Sequence, residues 1–143
     1  MKLLSFVILP FLLLPSYSLA ESYGDYQGAV YLQNYDGDTV TFNLPGLHPI
    51  IGEKISIRVN GIDTPEIRGK CEKEKYDAKQ AKEMVTDILK DAERINLKNM
   101  ERGKYFRIAA DVIVDGENLA DVLVEAGMAV RYDGGKKTHK WCE

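Results

Sequence analysis

The chain is poor in cysteine and histidine, with two of each, and it has a single tryptophan. Two cysteines exclude a disulfide-dense miniprotein scaffold. The histidines, His48 in a Pro/Gly loop and His139 near the terminus, have no partner at metal-ligand spacing, so neither is given a catalytic or metal role. No run reaches the roughly 18 apolar residues that a membrane-spanning helix needs. Low-complexity tracts and repeats are missing, and at 45% hydrophobic the chain is too apolar for a disordered protein. Positive charge is not in excess either, since the formal net charge is −3. That excludes a nonspecific nucleic-acid coat, which would be basic over its whole surface, but not a nucleic-acid enzyme. Lys54, Arg58, Arg68, Lys70, Arg102, Lys104 and Arg107 lie in three short segments and permit a basic cleft. The length of 143 residues supports one domain.

What is present begins with an export signal. Lys2 is a positive n-region, Leu3 to Leu14 is almost wholly apolar, and Ser18-Leu19-Ala20 offers small residues where a signal peptidase reads. Residues 1–20 are therefore expected to be a signal peptide, leaving 21–143 as a single exported domain, periplasmic or extracellular. Losing Lys2 takes the formal charge to −4. In an oxidising compartment a lone pair of cysteines usually bonds, which predicts a Cys71–Cys142 disulfide.

Strands come first. Gly28 to Asn34 and Thr39 to Leu44 read as strands around the Tyr35-Asp36-Gly37-Asp38 turn. Residues 45–53 read as a loop, and Ile55, Ile57 and Val59 alternate with polar residues as a half-buried strand. Gly61 and Ile62 break that alternation, which suggests a bulge. From Tyr76 to Ala92 the apolar spacing changes to three and four, the face of a helix of about four turns. Glu72 to Lys75 before it reads as a solvated loop of mixed charge. Ile95 and Leu97 resume alternation, and Ile108 to Val114 forms a further strand. Asn118 caps a short helix that Gly127 ends. Five short strands with a helix between the third and fourth fit an α+β OB-fold, a partly open Greek-key barrel.

Three polar segments suggest chemistry. Asp38 and Asp63 come from different strand ends and can seat a hard, oxygen-seeking cation such as Ca²⁺. Thr64 precedes Pro65, so its extended backbone can hold the carbonyl outward, and Glu66 follows as a third carboxylate. Arg58 and Arg107 flank the group from separate strands. Phosphodiester cleavage needs these parts: guanidinium forks and a metal for charge on the nonbridging oxygens, and a carboxylate to take a proton from water. Lysine at either arginine is expected to leave folding little changed, because both residues read as lying on polar strand faces.

Asp36-Gly37-Asp38-Thr39, Arg58 through Asp63-Thr64-Pro65-Glu66, Lys104-Tyr105-Phe106-Arg107, Asp115-Gly116 and Leu123 to Gly127 together resemble the thermonuclease (staphylococcal nuclease) family. The similarity covers about residues 27–132. It implies an OB-fold enzyme, monomeric, that cleaves DNA and RNA with Ca²⁺. It implies that Asp38, Asp63 and the Thr64 carbonyl bind calcium, and that Glu66 is general base or positions water. Arg58 and Arg107 would stabilise the transition state. Lys104 and Tyr105 would contact a terminal phosphate, and Tyr132 would stack on a base. Against the family pattern, the chain ends short of the usual C-terminal helix, residues 43–53 are longer, Phe106 replaces a glycine, and the net charge is acidic. The competing reading is a catalytically silent OB module that binds single-stranded nucleic acid or a protein.

Overall fold

The computed structural model describes residues 22–103 and 107–143. One curled sheet forms the body. It has the order β1 (Tyr26–Gln27), β6 (Ile95–Arg102), β7 (Ile108–Val114), β4 (Ile55–Val59), β3 (Thr39–Asn43), β2 (Val30–Asn34), with β8 (Glu117–Asn118) on the far end of β7. All neighbours are antiparallel except β4 and β7, which pair in parallel with Arg58 opposite Ala109. The five long strands are the five expected from alternation, and the parallel step from third to fifth is the Greek-key crossing of an OB-fold.

The barrel interior is filled by one face of each strand, including Val40 and Phe42, Ile57 and Val59, Leu97, and Ala110 and Val112. Helices α2 (Glu72–Asp91) and α3 (Leu119–Glu125) close it with Val85, Leu89, Leu119 and Leu123. Each large aliphatic side chain so buried stabilises the fold by about 1.5–3 kcal/mol. Asn34 ties α2 to the end of β2. Its amide donates to the Lys82 carbonyl at 3.1 Å and to the Asp36 carbonyl at 2.9 Å, and it accepts from Thr86 at 2.8 Å.

Helix α2 begins four residues before the apolar periodicity does. Cys71 is its N-cap, accepting from the Glu74 amide at 3.4 Å. Lys75 pairs with Glu72 and Lys73 with Asp77, each at 2.7 Å. The segment expected to be a solvated loop is thus the charged first turn, whose acids suit the helix dipole. Glu74 lies one turn before Ala78 on the buried face and is itself buried. A third helix, α1 (Pro49–Gly52), lies inside the expected loop, with His48 as its N-cap accepting from the Ile50 amide at 3.3 Å. The expected bulge at Gly61 is a turn instead. Gly61 has φ of +76°, and β5 (Ile62–Asp63) leaves the sheet to pair with β9 (Val130–Arg131). This departure points Asp63 and the segment after it at the mouth of the barrel. Asn118 caps α3 as expected, accepting from Ala120 at 2.9 Å, and Gly127 ends it at φ of +71°. Among the described residues no further helix follows α3, and Cys71 and Cys142 are joined with Cα atoms 6.0 Å apart. No helix among the described residues is long and apolar enough to cross a membrane.

Candidate active site

A cleft of about 630 Å³ opens between the Tyr35–Thr39 turn, the end of β4, β5 and the C-terminal tail. It brings Asp38, Arg58, Asp63, Thr64, Glu66, Arg107 and Tyr132 to one place, although 94 residues separate the first from the last. Lys104, Tyr105 and Phe106 lie outside the described residues, as does the 1–20 segment.

The acids are positioned by backbone. Thr39 pairs with Arg58 across β3 and β4, which sets the Asp38 carboxylate against the guanidinium, and the two form an ion pair. The other Asp38 oxygen accepts from Thr64, from its amide at 3.1 Å and its hydroxyl at 3.0 Å. Asp38 and Thr64 are both buried. Gly37 lets them meet, because a Cβ there would lie 2.8 Å from the Thr64 methyl and 3.0 Å from Ala81. Glu66 stands at the rim with its side chain 60% exposed. Its loop is held from below by Glu74, whose carboxylate accepts from the Lys70 amide at 2.8 Å and from the Glu66 amide at 3.5 Å.

Arg58 lies on the polar face of β4 that alternation predicts, but it is half-buried there. Its side chain is 20% exposed, and it also donates to the Ile62 carbonyl at 3.2 Å and approaches Asp63 at 3.6 Å. Burial pulls its guanidinium below the ordinary value, opposed by Asp63 and Asp36 and reinforced by Arg107. Substitution there disturbs contacts to two buried carboxylates, so a loss of stability is expected at this position. Arg107 precedes β7 rather than lying on a strand, and is exposed.

Two residues of the cleft were missed. Asp36 was read only as part of the turn. It accepts from the Asp38 amide at 3.1 Å, and burial raises its carboxyl above the ordinary range, against the Thr39 hydrogen bond. Lys137 has no role in the sequence reading. Its ammonium sits 2.8 Å from Asp63 and 2.9 Å from Glu66. Burial works against that charge, but the two carboxylates outweigh it and raise the ammonium above its ordinary value. The available signal was the Asp133-Gly134-Gly135 turn just before Lys137 and the paired cysteine just after it. Of the segments that permitted a basic cleft, Arg58 and Arg107 reach it, whereas Lys54, Arg68 and Lys70 do not.

The donor set fits Ca²⁺. Asp38, Asp63 and Glu66 offer hard oxygens, with no thiolate or imidazole among the cleft residues described. The Asp63 Oδ1 atom is buried and its neighbours are both cationic, the Lys137 ammonium at 2.8 Å and the Arg58 guanidinium at 3.6 Å. A buried anionic oxygen is one that positive charge satisfies.

The family model for staphylococcal nuclease homologues matches residues 56–141, more than half of the chain. The chain belongs to that family, as the motifs had implied, and is a nuclease-type OB domain whose substrate class is nucleic acid. No curated protein matches it significantly.

Proposed function

We propose that the protein is an exported, Ca²⁺-dependent nuclease that hydrolyses phosphodiester bonds of DNA or RNA. One observation carries the reading: three carboxylates, two of them buried, converge on a cleft with two arginines. A pure binding module for a polyanion gains nothing from such acids, which would repel the substrate. Asp38, Asp63 and the Thr64 carbonyl would hold the ion, which supplies positive charge to the phosphoryl oxygens.

The remaining chemistry belongs to the chain. Glu66, exposed at the rim, accepts the proton of the attacking water. Arg58 is held rigidly by Asp38 and the Ile62 carbonyl, so its fork is preorganised to donate to the equatorial oxygens as charge builds there. Arg107, just before the strand β7 that neighbours β4, lines the same cleft and donates to the same oxygens or to the leaving oxygen. Tyr132, whose hydroxyl is engaged by the Gly135 carbonyl at 2.6 Å, presents its ring as a stacking surface for a base. The Lys2-to-Ala20 pattern supports export, and a disulfide is the form cysteines keep outside the cytosol. The protein would act as a monomer. The test is incubation with DNA and RNA, in Ca²⁺ or in chelator. Intact substrate in Ca²⁺ would leave the binding-module reading in its place.

A further inference from the structure

Lys137 enters the cleft on a tail fixed at both ends. At one end the Tyr132 amide donates to the Gly61 carbonyl at 3.0 Å. At the other Cys142 is bonded to Cys71. Gly134, at φ of +89°, and the bond from Tyr132 to Gly135 fold the chain back between these anchors. The ammonium is thereby delivered to Asp63 and Glu66, two of the acids assigned above to chemistry. Tethering over so few residues gives it an effective concentration of millimolar order or above at the cluster. Asp63 Oδ1 cannot hold this ammonium and a divalent ion at contact distance together without strong like-charge repulsion.

We propose that Lys137 is a tethered counter-cation of the acidic cluster: it neutralises Asp63 and Glu66 until a divalent ion displaces it, and the displaced ammonium then binds a phosphate of the nucleic acid. The proposal rests on the metal-dependent nuclease reading for its two ligands, but its test needs no cleavage. The two roles have opposite signs. Removing the charge relieves competition for the metal and also removes a phosphate contact. Lys137 is 46% exposed, so its replacement opens no cavity, and the disulfide still holds the tail.

The experiment compares the oxidised wild-type protein with K137Q and K137R. First, Ca²⁺ is titrated calorimetrically without nucleic acid. K137Q should bind it roughly five- to tenfold more tightly, the range for loss of one partly buried competing ion pair, while K137R stays near wild type. Second, a cleavage-resistant phosphorothioate oligonucleotide is titrated at saturating Ca²⁺. K137Q should bind it several-fold more weakly, with a shallower salt dependence by about one counterion, and K137R should restore both. Equal Ca²⁺ affinity in wild type and K137Q, or no Ca²⁺ binding by either, overturns the displacement. Tighter Ca²⁺ binding with unchanged oligonucleotide affinity overturns the phosphate role. Both titrations read out even if no cleavage occurs, so a failed nuclease reading is distinguished from a failed role for Lys137.

Discussion

Reduction of the Cys71–Cys142 bond should destabilise the protein by about 2 kcal/mol, not by the larger value that its span suggests. The cysteines are 71 residues apart, and closing a loop of that length in the unfolded chain corresponds to about 4 kcal/mol. That figure assumes that Cys142 stays beside Cys71 in the folded state once the bond is cut. The structure argues otherwise. From Asp133 onward almost every residue is exposed, and the tail is held by its own turn, by the Lys137 ion pairs and by a 3.4 Å contact from Lys73 to the Trp141 carbonyl. The reduced tail therefore frays in the native state and gains entropy there too. With the constant parts of the two closures cancelling, what remains is the length dependence between a loop of 71 residues and an arm of about ten, near 2 kcal/mol. For a domain of this size that is a fall in melting temperature of about 8 °C. Melting curves of the oxidised and reduced forms, with limited proteolysis of the tail, provide the assay. An unchanged midpoint would refute the reasoning, and so would a loss of the full 4 kcal/mol with the reduced tail still protected.

The same geometry makes three further predictions. Turnover should require Ca²⁺, with Mg²⁺ giving little activity because it demands tighter octahedral geometry; full activity in chelator would contradict the oxygen-donor site. R58K and R107K should each lower turnover by roughly two or more orders of magnitude through loss of the planar fork, and E66Q should test the base in the same way. Only R58K should also lower stability, by about 1–2 kcal/mol, since its partners Asp38 and Asp63 are buried; equal denaturation midpoints for R58K and R107K would contradict the assigned burial. G37A should cost about 1–3 kcal/mol and depress turnover, because its Cβ meets Thr64 and Ala81; a neutral result would mean that Asp38 and Thr64 need no close approach.

Much of the fold was legible because the long strands alternate cleanly and the apolar stripe of α2 recurs at helical spacing. The first turn of α2 was not, since a pattern that counts apolar residues starts at Tyr76 and passes over a buried Glu74 whose partners are backbone amides. Helix α1 was hidden by its Pro and Gly content and its four-residue length. The carboxylates and arginines of the cleft could be named from residue type and order. Arg58 could not be seen to be half-buried, because strand alternation assigns its side chain to the polar face without showing its contacts to Asp38 and the Ile62 carbonyl. Lys137 was invisible for a different reason: a disulfide brings it to Asp63 from 74 residues away, and no local pattern encodes that distance.

The central claim is that the acids and arginines of this cleft hydrolyse phosphodiester bonds with the help of Ca²⁺. It is tested most directly by incubating the purified, oxidised protein with DNA and with RNA in Ca²⁺, in chelator, and as the E66Q variant. The account predicts fragments in Ca²⁺ alone, from at least one of the two substrates, and intact chains in the other two conditions. Nucleic acid that is bound but left uncut in Ca²⁺, or cut equally well in chelator or by E66Q, would contradict it.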